Sequence, residues 1–221
     1  MAILDFIPSA KPIMLGKQTA KNTLILLHGL TLSGRQFVPI GNALLHHLGE
    51  DWQVILPTAP IQRVTWLAGQ MANAWFDLPM GSFDKNEDKT GLHQAKDYVH
   101  RLVDEQMAKG VNPKHIIVGG FSQGGALALL SALTYPKELG GAVCLSGYLP
   151  LADNLPQYLK HRLPVLFAHG TNDVPIPLDL AQHSAQRLKE AGCQVDVNIY
   201  PIGHTVDERE LAEMADWVKR L

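Results

Sequence analysis

Apolar and polar positions follow two rhythms along this chain. Short runs with almost no charge, at residues 23–28, 53–57, 116–118, 141–146, 164–169 and 195–200, read as buried strands of a parallel sheet. Between them, apolar residues recur three and four apart and predict helices. Phe37, Ile40, Ala43, Leu44 and Leu48 share one face, and Leu92, Ala95, Val99, Leu102, Val103 and Met107 share another within a helix over 92–109. Residues 126–135, 178–191 and 207–221 complete the helical set, the last as a closing amphipathic helix. Residues 1–22 read as an irregular or hairpin lead-in, with Ile13, Met14 and Leu15 as an edge strand. This alternation predicts a mostly parallel sheet with helices on both faces, in a single domain over 1–221. One stretch, residues 58–90, has no clean period and is rich in Pro, Gly, Trp and Met. A loop of that length in a compact domain is usually functional.

The strand at 116–118 runs into Gly119-Gly120-Phe121-Ser122-Gln123-Gly124-Gly125, and an unbroken apolar helix follows until Pro136. A bare Gly-x-Ser-x-Gly pattern also occurs in ordinary tight turns. Between a strand and a helix it reads as a nucleophile elbow, with Ser122 held in a strained turn at the helix N-terminus. A serine hydroxyl needs a positioned base, and the base needs a group to orient it. His204 follows a strand and precedes the last helix; Asp173 sits in the turn after another strand. Both reach the sheet edge that carries Ser122, and the order Ser, Asp, His is that of an α/β-hydrolase triad. Asp153 and Asp179 are weaker rivals, one in a loop that no strand leads into and one inside a helix. Backbone N–H groups of Leu30, after an early strand, and Gln123, after the serine, are the candidate oxyanion donors. His28 reads as a brace for its turn and His169 as a structural residue beside the acid, while His115, His161 and His183 read as surface positions.

Composition narrows the field by exclusion. The 221 residues are 46% apolar with a net charge of −2 and interspersed signs, which offers no case for nucleic acid or an anionic membrane. Two cysteines, Cys144 in a strand and Cys193 at a turn, make no disulfide framework and point to a reducing, cytoplasmic setting. No run approaches a membrane span, and the first residues, with Asp5 among them, lack the pattern of a signal peptide. No ligand spacing for a metal and no phosphate-cradling glycine loop is present.

Taken together the motifs resemble the acyl-protein thioesterase, lysophospholipase and carboxylesterase group of small α/β-hydrolases. The resemblance rests on Leu27-His28-Gly29-Leu30, Pro57-x-Ala59-Pro60 with Val64-Thr65, Ala74-Trp75-Phe76-Asp77, the elbow, Gly170-Thr171-x-Asp173 with Pro177, and Tyr200 with Gly203-His204. It implies an α/β-hydrolase fold without a large lid domain. It implies Ser122 as nucleophile, His204 as base, Asp173 as acid and the N–H groups of Leu30 and Gln123 as oxyanion hole. It also implies cofactor-free hydrolysis of esters or thioesters with medium to long acyl chains, carried by lipids or acylated proteins. Thr31-Leu32-Ser33-Gly34 and Trp66-Leu67-Ala68-Gly69 depart from the group's pattern on the substrate side.

The expected acyl wall draws on Leu67, Met71 and Met80, with Trp75, which reads better as core, and with Leu149 from a second segment at 148–151. A non-catalytic acyl-lipid binder on the same scaffold is the alternative from another class. A membrane-surface module is a weaker one for want of a basic patch. Stable membrane insertion is not expected, and a weak homodimer is compatible with the sequence.

Overall fold

In the computed structural model, which describes residues 6–221, a seven-stranded sheet carries the chain. The elements in order are β1 (Ala10–Gly16), β2 (Asn22–Leu27), α1 (Val38–Leu48), β3 (Trp52–Thr58), β4 (Ile61–Val64), β5 (Gln70–Asn73), α2 (Lys89–Ala108), β6 (Ile116–Phe121), α3 (Gln123–Thr134), β7 (Gly141–Leu145), α4 (Leu155–Tyr158), β8 (Val165–Gly170), α5 (Leu178–Glu190), β9 (Val195–Tyr200) and α6 (Glu208–Lys219). The sheet runs β1-β3-β2-β6-β7-β8-β9, and β4 with β5 makes a separate hairpin. All pairings in the large sheet are parallel except that of β1 with β3, so Ile13, Met14 and Leu15 do lie on an edge strand. The first five residues of the predicted lead-in fall outside the described residues.

The inner strands β2, β3, β6, β7 and β8 are almost wholly buried because helices cover both faces, whereas the edge strands β1 and β9 keep exposed and polar positions. One core layer packs β-strand residues such as Ile25, Val118 and Phe167 against α2, α3 and α5. The other packs Leu24, Ile117 and Leu166 against α1 and α6. The elbow helix α3 lies wholly inside: every residue from Gln123 to Leu133 is buried, which explains its lack of a polar face. Both cysteines are buried, and burial pushes both thiols up, Cys144 well above the ordinary range, so neither is poised to react.

Residues 58–90 are more ordered than their sequence suggests. Ile61–Val64 and Gln70–Asn73 pair antiparallel, a 3₁₀ turn follows Val64, and Ala68 and Gly69 turn the chain at φ of 53° and 80°. Four-residue strands with Gln, Arg and Asn among them leave no periodic signal to read.

Candidate active site

Parallel pairing places the C-terminal ends of β2, β6, β8 and β9 along one edge, and the turns after them converge there. Ser122 occupies the sharpest of these turns, at φ 56° and ψ −120°, a region costly for any residue with a Cβ. The fold holds it there by force of packing. Ser122 N–H donates to Leu145 O at 2.8 Å, and its carbonyl accepts from Ala126 N–H to start α3. A Cβ on Gly120 would meet Gly124 C and O at 2.3 Å, and one on Gly124 would meet Leu27 O at 2.3 Å. Strand and helix approach this closely only because both positions lack a side chain.

Ser122 Oγ lies 2.9 Å from His204 Nε2, and His204 Nδ1 lies 2.7 Å from Asp173 Oδ2. With Nδ1–H donating to the carboxylate, Nε2 is left bare to accept from the serine hydroxyl. The three residues, 51 and 31 positions apart in sequence, are thus joined in one hydrogen-bonded line. The Asp173 side chain is fully buried while His204 remains partly open. Burial pushes the Asp173 carboxyl up, but hydrogen bonds from His204 and from Ile176 N–H (2.9 Å), with the nearby imidazoles, outweigh it and hold it below the ordinary carboxylate value. Asp153 instead pairs with Arg187 on the surface, and Asp179 sits exposed in the first turn of α5.

The turn after β2 is pinned on every side but one. His28 is fully buried; its Nδ1–H donates to Gly29 O at 2.7 Å and its Nε2 accepts from Ala59 N–H at 3.0 Å. Burial drops its pKa to about 4, so the ring braces the turn as a neutral imidazole. His28 O accepts from the Trp75 indole N–H at 2.8 Å, and Thr31 N–H donates to Asn73 O at 2.8 Å. Leu30 N–H, between these anchors, donates to no group among the described residues. Gln123 N–H opens α3 and has no acceptor within its helix. Gln123 also works through its side chain, which sequence reasoning did not foresee. Its amide oxygen accepts from Trp75 N–H at 3.0 Å and its amide N–H donates to Phe76 O at 2.7 Å.

A cleft of about 250 Å³ opens over Ser122 and His204, walled largely by apolar groups. Trp66, Leu78, Phe83, Phe121, Tyr148 and Ile176 form the wall, with Leu30, Leu32 and Pro175 beside them. Trp66 meets Phe83 edge to face at 5.6 Å, and Phe83 stacks on Tyr148 at 6.4 Å. The sequence-based wall is corrected here. None of Leu67, Met71, Trp75, Met80 and Leu149 lines this cleft. Trp75 is fully buried, clustered with Phe6 and Tyr98, because its indole is spent on His28 O. Met71 and Met80 face solvent, the first opposite Arg63 on the hairpin, and Leu67 is half-buried in the 3₁₀ turn. Leu149 is buried and borders a separate polar groove between α5 and residues 84–89. Tyr148, from the second expected segment at 148–151, does line the cleft, and Ile176 joins it from the turn after β8, a position that was the available signal.

His169 and His28 are both buried, whereas His115 and His183 are exposed and His161 is half-buried, its Nε2–H donating to Pro136 O. Among the described residues no group of three or more His, Cys, Asp or Glu side chains could hold a metal ion. No described helix is long and apolar enough to cross a membrane.

Comparison with known proteins points the same way as the geometry. The family model for phospholipase/carboxylesterase matches residues 9–221. Carboxylesterase SOBER1 of Arabidopsis thaliana is 35% identical over 208 residues, 91% of this chain and 91% of its own length. Acyl-protein thioesterase 1 of Emericella nidulans is 34% identical over 222 residues, 94% of this chain and 92% of its own. The crystal structure of Arabidopsis thaliana SOBER1 superposes with a TM-score of 0.85 at 34% identity, over 91% of this chain and 99% of that one. Its fold is therefore that of the small α/β-hydrolases without a large lid, it acts as an ester-hydrolysing enzyme rather than a non-catalytic lipid binder, and the chain belongs to the phospholipase/carboxylesterase family.

Proposed function

We propose that the chain hydrolyses carboxylic esters or thioesters of single acyl chains, medium to long, through a Ser122-His204-Asp173 triad and an acyl-enzyme. The observation that carries this reading is the line from Ser122 Oγ through His204 to Asp173, at 2.9 and 2.7 Å, opening into an apolar cleft. Ser122 Oγ attacks the acyl carbonyl as His204 Nε2 takes its proton. The N–H groups of Leu30 and Gln123, without acceptors among the described residues, receive the charge that develops on the carbonyl oxygen. His204 then protonates the leaving alcohol or thiol, and a water activated by the same nitrogen releases the acid. Asp173 stays ionised and keeps the imidazole proton on Nδ1.

A cleft of about 250 Å³ is small beside the usual range for ligand sites, roughly 300–1,000 Å³. That size suits one acyl chain and not a two-chain lipid. The relatives named carboxylesterase and acyl-protein thioesterase support both an ester and an acylated-protein substrate. Ser122→Ala should abolish turnover of p-nitrophenyl esters and labelling by a fluorophosphonate, with folding retained. Labelling that persists in the variant would remove Ser122 as nucleophile. A chain-length series separates a groove binder from a small-ester hydrolase. The first turns over eight-carbon esters faster than acetate, and the second does the reverse.

A further inference from the structure

Asp173 has a second imidazole beside it. His169 is the last residue but one of β8, and its side chain is fully buried. Its Nε2 lies 2.8 Å from Ile176 O and 3.4 Å from Asp173 Oδ2, the second a close electrostatic contact rather than a hydrogen bond. Its Nδ1 has no hydrogen-bond partner among the described residues. A buried ring with two acceptors at one nitrogen and none at the other carries its proton on the first. His169 is therefore a neutral Nε2–H imidazole, and burial, opposed by the Ile176 carbonyl and by Asp173, lowers its pKa further from the charged form.

The peptide of Ile176 is held at both ends of this arrangement. Its N–H donates to Asp173 Oδ1 at 2.9 Å and its C=O accepts from His169 Nε2–H at 2.8 Å. His169, Asp173 and Ile176 form a closed triangle, and one further bond, from His204 at 2.7 Å, leaves it toward the serine. The geometry points to His169 as a positioning residue for the acid: it locks the Asp173–Ile176 turn and turns an N–H edge toward Oδ2 beside the bond from His204. The inference rests on the reading of Asp173 as the acid of the triad. A neutral donor at that place steadies the carboxylate without adding a second proton that could compete for it. Ile176 and Pro175 wall the cleft, so the same lock sets the substrate wall on the acid side. The titratable groups that act on His169 are Asp173 and His204, both within the triad itself.

Two isosteric replacements separate this role from packing. The Gln amide nitrogen reaches about where Nε2 stands, and the Asn amide nitrogen reaches only about where Nδ1 stands. His169→Asn should lower kcat by about tenfold to a hundredfold with KM within about threefold, the pattern of a misplaced catalytic group. It should also move the acid limb of kcat/KM to higher pH, because a carboxylate relieved of the N–H dipole beside Oδ2 grips a protonated base harder. His169→Gln should keep kcat within about threefold of the parent and leave the limb where it was. Equal losses in both variants with an unmoved limb would reduce His169 to a packing residue, and a fully active Asn variant would overturn the proposal. A measurement on the unaltered protein holds even where a variant fails to fold. Nitrogen-15 NMR should find His169 neutral, with the proton on Nε2, across roughly pH 6–8. An Nδ1–H tautomer or an imidazolium there sinks it. Asp173→Asn is the control for the underlying reading, since full activity in that variant would remove the acid itself and not the lock.

Discussion

The two sides of the cleft around Ser122 are held by different means. On one side Ser122, Asp173 and His204 each sit in a turn just beyond β6, β8 or β9, and those strands stand in continuous parallel register. On the other side, residues 58–90 cross the mouth of the sheet tied down by a few side chains. Gln123 takes Trp75 N–H and Phe76 O, Asp77 takes the N–H and hydroxyl of Thr65, and Asp88 takes Asp77 N–H while capping α2 through Gly91 N–H. The three groups proposed to react thus rest on a ladder of backbone hydrogen bonds that no single side chain controls. The loop side of the cleft rests on contacts that one substitution can remove. On the proposed reading, the reaction is hard to alter by substitution and the choice of substrate is not.

The contrast breaks most severely at the elbow. Gly120→Ala drives a Cβ into Gly124 backbone at 2.3 Å, where nothing flexible can yield. We expect a loss of about 3–5 kcal/mol, seen as a fall of roughly 10 °C or more in Tm. A change of only a degree or two would mean that strand and helix can part, and that the elbow is looser than its packing indicates.

Gln123→Leu tests the other side. It leaves Trp75 N–H and Phe76 C=O buried without partners, which costs about 2–4 kcal/mol by urea unfolding. KM should rise with it, because Phe83 and Leu78 follow directly from that segment into the cleft. Unchanged stability would show that the loop is held by aromatic packing on Tyr98 and not by this amide.

In the first turn of α6 lies a smaller effect with a pH signature. Glu210 is fully buried in the first turn of α6, neither carboxyl oxygen has a hydrogen-bond partner among the described residues, and burial raises its pKa to about 8. The folded pKa exceeds the unfolded one, so the group binds a proton more tightly when folded. Its contribution is whole below the unfolded value of 4.5 and is lost as pH rises toward about 8. Glu210→Gln should therefore flatten the fall of Tm over that window and gain about 1–2 kcal/mol at pH 8. A parent protein with constant Tm from pH 5 to about 8 would contradict it.

The smallest effect belongs to a residue that reads as functional in the sequence. Met80 is 68% exposed and does not border the cleft, so Met80→Ser should change stability by no more than about 0.5 kcal/mol and leave KM unmoved. A raised KM for long-chain esters would restore Met80 to the substrate path.

The same contrast separates what could be read in the sequence from what could not. Strands β2, β3 and β6 to β8 announce themselves because burial on both faces disfavours polar residues, β9 because it alternates on an edge, and helices α1, α2, α5 and α6 because one stripe must be apolar. Ser122, Asp173 and His204 follow from these, since a parallel sheet sends the residue after each strand to a common edge. Composition placed Leu67, Met71, Met80, Trp75 and Leu149 at the wall, and composition does not say which way a loop residue faces. Met71 points outward because the β4–β5 hairpin pairs it opposite Arg63, and Trp75 points inward because its indole finds His28 O.

By itself, then, the sequence determined the order of layers, the edge at which chemistry can occur and the three residues that meet there, because periodic burial and chain order are local properties. Only the tertiary structure decided which side chains face the cleft, that Gln123 anchors the loop across it and that His169 stands behind Asp173. Those contacts join positions as far apart as Trp75 and Gln123, and are set by three-dimensional packing with no repeat in the chain to record them.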